Sequence, residues 1–180
     1  MLRTEIAIVE EVLAEHAAAI GGDLAGYRNH VYRVAHLAAV LGAAGEDAPQ
    51  LEKIAIAAVF HDLGIWTERT FDYLGPSIAR ARAYLLGSGR EAFVAEVEAM
   101  IGEHHKLTAS RADPSWLVEP FRRADWADVS LGLCRFGLSR ELLREIGARW
   151  PSAGFHRRLA QLGAKRLLTH PWSPLPMFRL

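Results

Sequence analysis

One cysteine, Cys134, occurs in 180 residues. A single thiol excludes an internal disulfide and any multi-cysteine zinc or iron–sulfur site. It lies in the apolar stretch Leu131 to Phe136, which reads as an inert core thiol rather than a nucleophile. An excess of either charge is also lacking, since Lys+Arg and Asp+Glu both number 21. Such a chain has no global field to attract a nucleic-acid polymer or an anionic membrane. No run approaches the roughly 18 apolar residues needed to span a bilayer. The opening residues Arg3, Thr4 and Glu5 do not read as a signal peptide. The expectation is a cytoplasmic protein without a membrane partner; a homodimer is left open.

Period-two alternation of β-branched residues is scarce, and no solenoid repeat is present. Ala, Leu, Arg and Glu dominate instead, which predicts helices nearly throughout. The length suits one domain, taken as residues 1–180. Helices are expected over Thr4–Ile20, from after Asp23 to Leu41, and over Pro49–His61. A connector with a helical turn follows over Ile65–Leu74. Further helices are expected over Pro76–Gly87, Glu91–His105 and Pro114–Leu133, the last kinked at Pro120. Two more follow, one after Ser139 and one over Phe155–Thr169. The tail Pro171–Pro176 is too proline-rich for a helix and is read as an extended strap. Ile54 to Phe60 is apolar on every side, so that helix belongs in the middle of a bundle.

Several titratable residues fall where a solvated face would not put them. His30 shares the stripe of Tyr27, Val31 and Val34, whereas His36 falls on the opposite side and reads as a surface histidine. His61 and Asp62 end the most apolar helix. A buried bare carboxylate is costly, and a helix C-terminus disfavours negative charge. A nearby cation resolves both problems. His104 continues the inner stripe of Phe93, Val97, Met100 and Ile101, with His105 on its flank. Asp125 and Asp128 follow Phe121 by four and seven residues, so both point with an apolar anchor. Singly these are weak signals. Jointly, four helices aim His or Asp at one core, which is how bundle metal sites are built. Mixed imidazole and carboxylate donors suit one divalent ion: Mn, Fe, Co, Ni or Zn, with Mg less favoured.

These segments resemble the HD-domain superfamily of metal-dependent phosphohydrolases. Asn29-His-Val-Tyr-Arg-Val34 is similar to its first-histidine helix. Ala57-Ala-Val-Phe-His-Asp-Leu-Gly-Ile65 is similar to its central helix, and Arg123-Ala-Asp-Trp-Ala-Asp128 to its final aspartate motif. Ile101-Gly-Glu-His-His105 resembles a further histidine motif of many members. The resemblance covers about residues 26–133 and leaves a helical extension, 137–180, unexplained. It implies an all-α, compact multi-helix bundle with a central apolar helix. It also implies His30, His61, Asp62 and Asp125 as metal ligands, and cleavage of a phosphate ester of a nucleotide or related metabolite. By the same resemblance His104 and His105 lie at the site as candidate proton carriers, beside the metal-bound Asp62. Lys106 and Arg33 are candidate phosphate contacts, and Asp128 is expected to orient a ligand imidazole.

The sequence departs from the family pattern in two places. No histidine stands between His61 and His104, where two-metal members usually have one, and Asp72 and Tyr73 occupy that segment. One metal is therefore expected rather than two. Ile65 stands where one subgroup has an acidic residue, with Glu68 three positions on. Two alternatives stay open: a non-catalytic metal- or ligand-binding module, and an HD-fold iron oxygenase or hydratase. Trp66 and Trp126 are nearest the expected ligands and are candidates to line the pocket.

Overall fold

A computed structural model describes residues 3–173 and 176–178. The regular structure of these residues is all helical, with no β-strand among them. The helices are α1 (Ala7–Ile20), α2 (Leu24–Leu41), α3 (Ala48–Phe60), α4 (Gly64–Thr67), α5 (Leu74–Gly87), α6 (Val94–Glu103), α7 (Val118–Val129), α8 (Arg140–Arg149) and α9 (Phe155–Thr169). Short 3₁₀ turns at Gly21–Asp23 and Glu91–Phe93 lead into α2 and α6. No helix is long and apolar enough to cross a membrane among the described residues.

Helix α3 is the axis of the bundle. Asp47 caps it by accepting from Gln50 N at 3.0 Å, and Pro49 sits in its first turn, where a missing N–H costs nothing. Every residue from Ile54 to Phe60 is buried, and α1, α2, α5 and α6 surround the helix. A helix apolar on all sides has to be enclosed this way. Helix α2 has its most extensive contact with α7, which brings the His30 and Asp125 segments face to face.

The chain leaves α3 through a tight turn into α4. Gly64 N donates to Ser77 Oγ at 3.0 Å. A Cβ on Gly64 would stand 2.7 Å from the Tyr73 carbonyl oxygen and 3.0 Å from Ser77 Oγ. Backbone cannot withdraw cheaply, so Gly64→Ala is expected to cost about 1–3 kcal/mol. Urea denaturation checks this, and an unchanged midpoint would show that the α4–α5 junction is not close-fitted.

Several expectations need correction. Helix α7 begins at Val118 rather than Pro114, so Pro120 falls in its first turn and causes no kink. The Glu91–His105 helix stops at Glu103, which leaves His104 and His105 in the turn after it. Cys134 is exposed, not a core thiol. The apolar run around it leaves the bundle between two left-handed residues, Leu131 (φ 53°) and Phe136 (φ 48°). His36 is buried, because the N-terminal segment and Trp150 cover it. Arg3 N donates to its Nε2 at 2.9 Å, and its Nδ1 lies 2.7 Å from the Tyr32 carbonyl. It is a satisfied core histidine. Of the proline-rich tail, Pro174 and Leu175 lie outside the described residues. Pro171–Ser173 form a surface turn, and Met177 is buried.

Candidate metal centre

Side chains from the ends and faces of α2, α3, α6 and α7 converge at one interior point. His30 and His61 bring their Nε2 atoms to 2.9 Å of each other. Asp62 Oδ2 lies 3.6 Å from both nitrogens, and so does Asp125 Oδ1. His104 Nε2 stands 3.5 Å from the other Asp62 oxygen, Oδ1. All five residues are almost completely buried.

The hydrogen bonds fix which imidazole nitrogens carry protons. His61 Nδ1 faces the Ala58 carbonyl at 2.8 Å, and His104 Nδ1 faces the Ile101 carbonyl at 2.7 Å. A carbonyl only accepts, so each Nδ1 donates. His30 Nδ1 faces Asp128 Oδ2 at 2.7 Å, again an acceptor. Each neutral ring therefore turns a bare Nε2 lone pair inward. Two such lone pairs at 2.9 Å repel unless a positive charge sits with them.

Three further observations agree. Asp62 Oδ1, His104 Nε2 and Asp125 Oδ1 are buried without a hydrogen-bond partner among the described residues, and such atoms are costly. Asp62 and Asp125 have only histidines as ionic neighbours there, so two buried carboxylates lack a fixed cation. Donors that share one cation at about 2.0–2.2 Å must lie within about 4.4 Å of one another; His30, His61 and Asp62 meet that bound together, and Asp125 Oδ1 meets it against both histidines. The donor set fits a divalent ion in charge and in chemistry.

The electrostatics respond to the same shortage of positive charge. Burial opposes ionisation of every group here. For His61, Asp62 and Asp125 outweigh it and push the imidazole up to about 9. His30 is held below its ordinary value, chiefly by burial. The carboxyls of Asp62 and Asp125 both fall below the usual range, because neighbouring histidines overcome their burial. The bare protein would trap a proton where a metal ion would sit.

Asp62, His104 and His105 form a second group able to hold an ion. His105 Nδ1 is 3.6 Å from Asp125 Oδ2, so each carboxylate faces both groups. His105 Nε2 lies 2.6 Å from the Tyr73 hydroxyl. Burial and His104 hold His105 down at about 3. It is neutral at pH 7, which suits a ligand or acceptor better than a proton donor.

Asp128 sits behind His30 and is itself held by Arg33. Arg33 Nε and Nη2 reach the two Asp128 oxygens at 2.5 and 2.8 Å, and Nη1 donates to the Trp150 carbonyl at 2.9 Å. Both side chains are buried. The hydrogen bonds from His30 and Arg33 overcome burial and keep the Asp128 carboxyl well below its ordinary value. This corrects the expectation that Arg33 contacts phosphate, because its donors are committed to the protein. Lys106 pairs with Glu103 at 3.3 Å beside the histidine pair. Glu68 points away and pairs with Arg80 at 2.6 Å.

Three aromatic neighbours were not legible as site residues. Phe155, the first residue of α9, stacks on His30 at 4.0 Å. Tyr73 was visible only as the occupant of a segment without histidine. Phe178 packs 5.2 Å from His105 and 5.8 Å from Trp126. Trp66 instead donates to Asp23 and packs on Tyr27.

A helical bundle that focuses paired histidines and aspartates on one interior point has the architecture in which bundle metal sites are built. Residues 27–129, more than half of the chain, match the HD domain family. The chain therefore belongs to the HD-domain family. Neither the comparison with curated proteins nor that with solved structures finds a match.

Proposed function

We propose that this HD-domain protein is a metal-dependent phosphohydrolase acting on a small phosphorylated metabolite, with a nucleotide as the leading class. The observation that carries the reading is the pair of buried carboxylates, Asp62 and Asp125, set among inward imidazole lone pairs without a lysine or arginine among the described residues to balance them. His30, His61, Asp62 and Asp125 would hold one divalent cation. When bound, such a cation lowers the pKa of water and offsets charge at an attacked phosphoryl group.

The remaining roles belong to the chain. Asp128 orients the His30 ring through Nδ1 and is held in turn by Arg33. Tyr73 fixes the His105 ring from the far side. His104 and His105 stand where they could accept or relay a proton at the reacting group, and Lys106 offers a point charge to phosphate. On this reading the chain works as one domain in the cytoplasm, on free small molecules rather than a nucleic-acid polymer or membrane.

The burial of all the expected ligands favours a second reading, a non-catalytic module that binds metal or a ligand. One assay separates the two. Protein loaded in turn with Mn, Co, Ni, Zn and Mg is offered a panel of phosphomonoesters and phosphodiesters. The expected result is hydrolysis with at least one ion, abolished by chelator and by Asp125→Asn. Absence of turnover across the panel with metal bound would overturn the phosphohydrolase reading. Metal counted in the same samples decides between one ion and two, since Asp62, His104 and His105 offer a second place.

A further inference from the structure

Helix α9 lies beyond the segment that matches the family. Its fifteen residues include Arg157, Arg158, Lys165 and Arg166 and no acidic side chain. One side of α9 walls an open cavity of about 780 Å³, and Trp66 of α4 and the following connector close the other side. Four cations line it: Arg69, Arg158, Lys165 and Arg166. The one carboxylate in the lining, Asp23, is already engaged. Its Oδ2 accepts from Trp66 Nε1 at 2.9 Å and lies 2.9 Å from Arg158 Nε.

Like charges gathered around a cavity repel, so the arrangement favours an anion between them. Among the described residues no carboxylate lies within ion-pair distance of Arg69, Lys165 or Arg166; Arg166 Nε donates only to the Ser173 carbonyl, at 3.2 Å. Arg158 Nε pairs with Asp23 by charge at 2.9 Å without a hydrogen bond. Arg69 holds a left-handed backbone, φ 52°, which is uncommon for a residue with a Cβ. Backbone held in that region clusters at ligand clamps. The cavity is a neighbour of the metal centre but distinct from it. Trp66 packs on Tyr27 at 4.5 Å, and Phe71 of the lining packs 6.1 Å from Tyr73, whose hydroxyl meets His105.

We propose that this cavity is a second anion site that binds an oligophosphate group. Four cations on two facing walls match a short run of phosphates, whose several charges each find a donor. The group could come from the far end of the substrate or from a separate oligophosphate effector. The site stands whether or not the metal centre hydrolyses anything.

The test is titration calorimetry with inorganic tripolyphosphate. Wild-type protein, an Arg69→Gln/Lys165→Gln double variant and Asp62→Asn are compared, with thermal melts to confirm folding. The expected result is salt-sensitive binding to wild type, weakened roughly tenfold or more in the double variant, which loses two charged donors. Asp62→Asn should bind within about twofold of wild type. Should Asp62→Asn not fold, the wild type and double variant alone decide. Equal binding by those two, no binding to wild type at millimolar tripolyphosphate, or binding lost only in Asp62→Asn would each overturn the proposal. The source is then read from turnover. A raised KM at unchanged kcat in the double variant marks the far end of the substrate. A response of wild-type kcat to tripolyphosphate, absent in the double variant, marks an effector. Either pattern supports the cavity.

Discussion

Asp62→Ala is expected to purify with less than a tenth of the metal that wild-type protein carries. Asp62 turns its two oxygens to different partners, Oδ2 toward His30 and His61 and Oδ1 toward His104. Removing it halves the buried carboxylate charge of the centre and leaves imidazole lone pairs facing a void. Bound metal also stabilises the fold by mass action, by about 2.7 kcal/mol at a hundred times Kd. Chelator should therefore lower the melting temperature of wild-type protein and leave that of Asp62→Ala unmoved. Elemental analysis and paired melts with and without chelator check both parts. Equal metal in the two proteins would contradict the assignment of Asp62.

Asp128→Ala is expected to be the most damaging single change outside the metal ligands. It leaves the Arg33 guanidinium buried without its carboxylate and takes the acceptor from His30 Nδ1. Breaking one side of a buried ion pair costs about 3–5 kcal/mol. Losing the group that orients a ligand imidazole lowers metal affinity by about 10–100-fold. The two effects separate in a second variant. Arg33→Met combined with Asp128→Ala removes both charges together, and replacing a whole buried pair by apolar groups is often close to neutral. The double variant should regain most of the stability and none of the metal affinity. Urea titrations and metal competition assays read the two quantities. A double variant no more stable than Asp128→Ala would show that the ion pair is not what the single change breaks.

What could be read from sequence follows from how local the cause is. Helix α3 was legible because Ile54 to Phe60 leaves no polar side. The ligand set His30, His61, Asp62 and Asp125 came from the family resemblance, whereas the convergence was legible because His30, His104 and Asp125 each continue an apolar stripe of their own segment. His36 was misplaced by the same reasoning. Its helix face does point outward, but a segment 33 residues earlier covers it. Arg33 and Asp128 are 95 residues apart, and nothing local says that they pair. Tyr73 and Phe178 reach His105 through loop and tail geometry that has no period. Cys134 shows the converse, an apolar stretch that turns away from the bundle instead of joining it.

The central claim is that one cation joins side chains from separate helices at this point. Anomalous diffraction from crystals of protein loaded with zinc or manganese tests it most directly. The expected result is a peak about 2.0–2.3 Å from His30 Nε2, His61 Nε2, an Asp62 oxygen and an Asp125 oxygen together. A fully loaded crystal whose only peaks lie away from these four residues would contradict it.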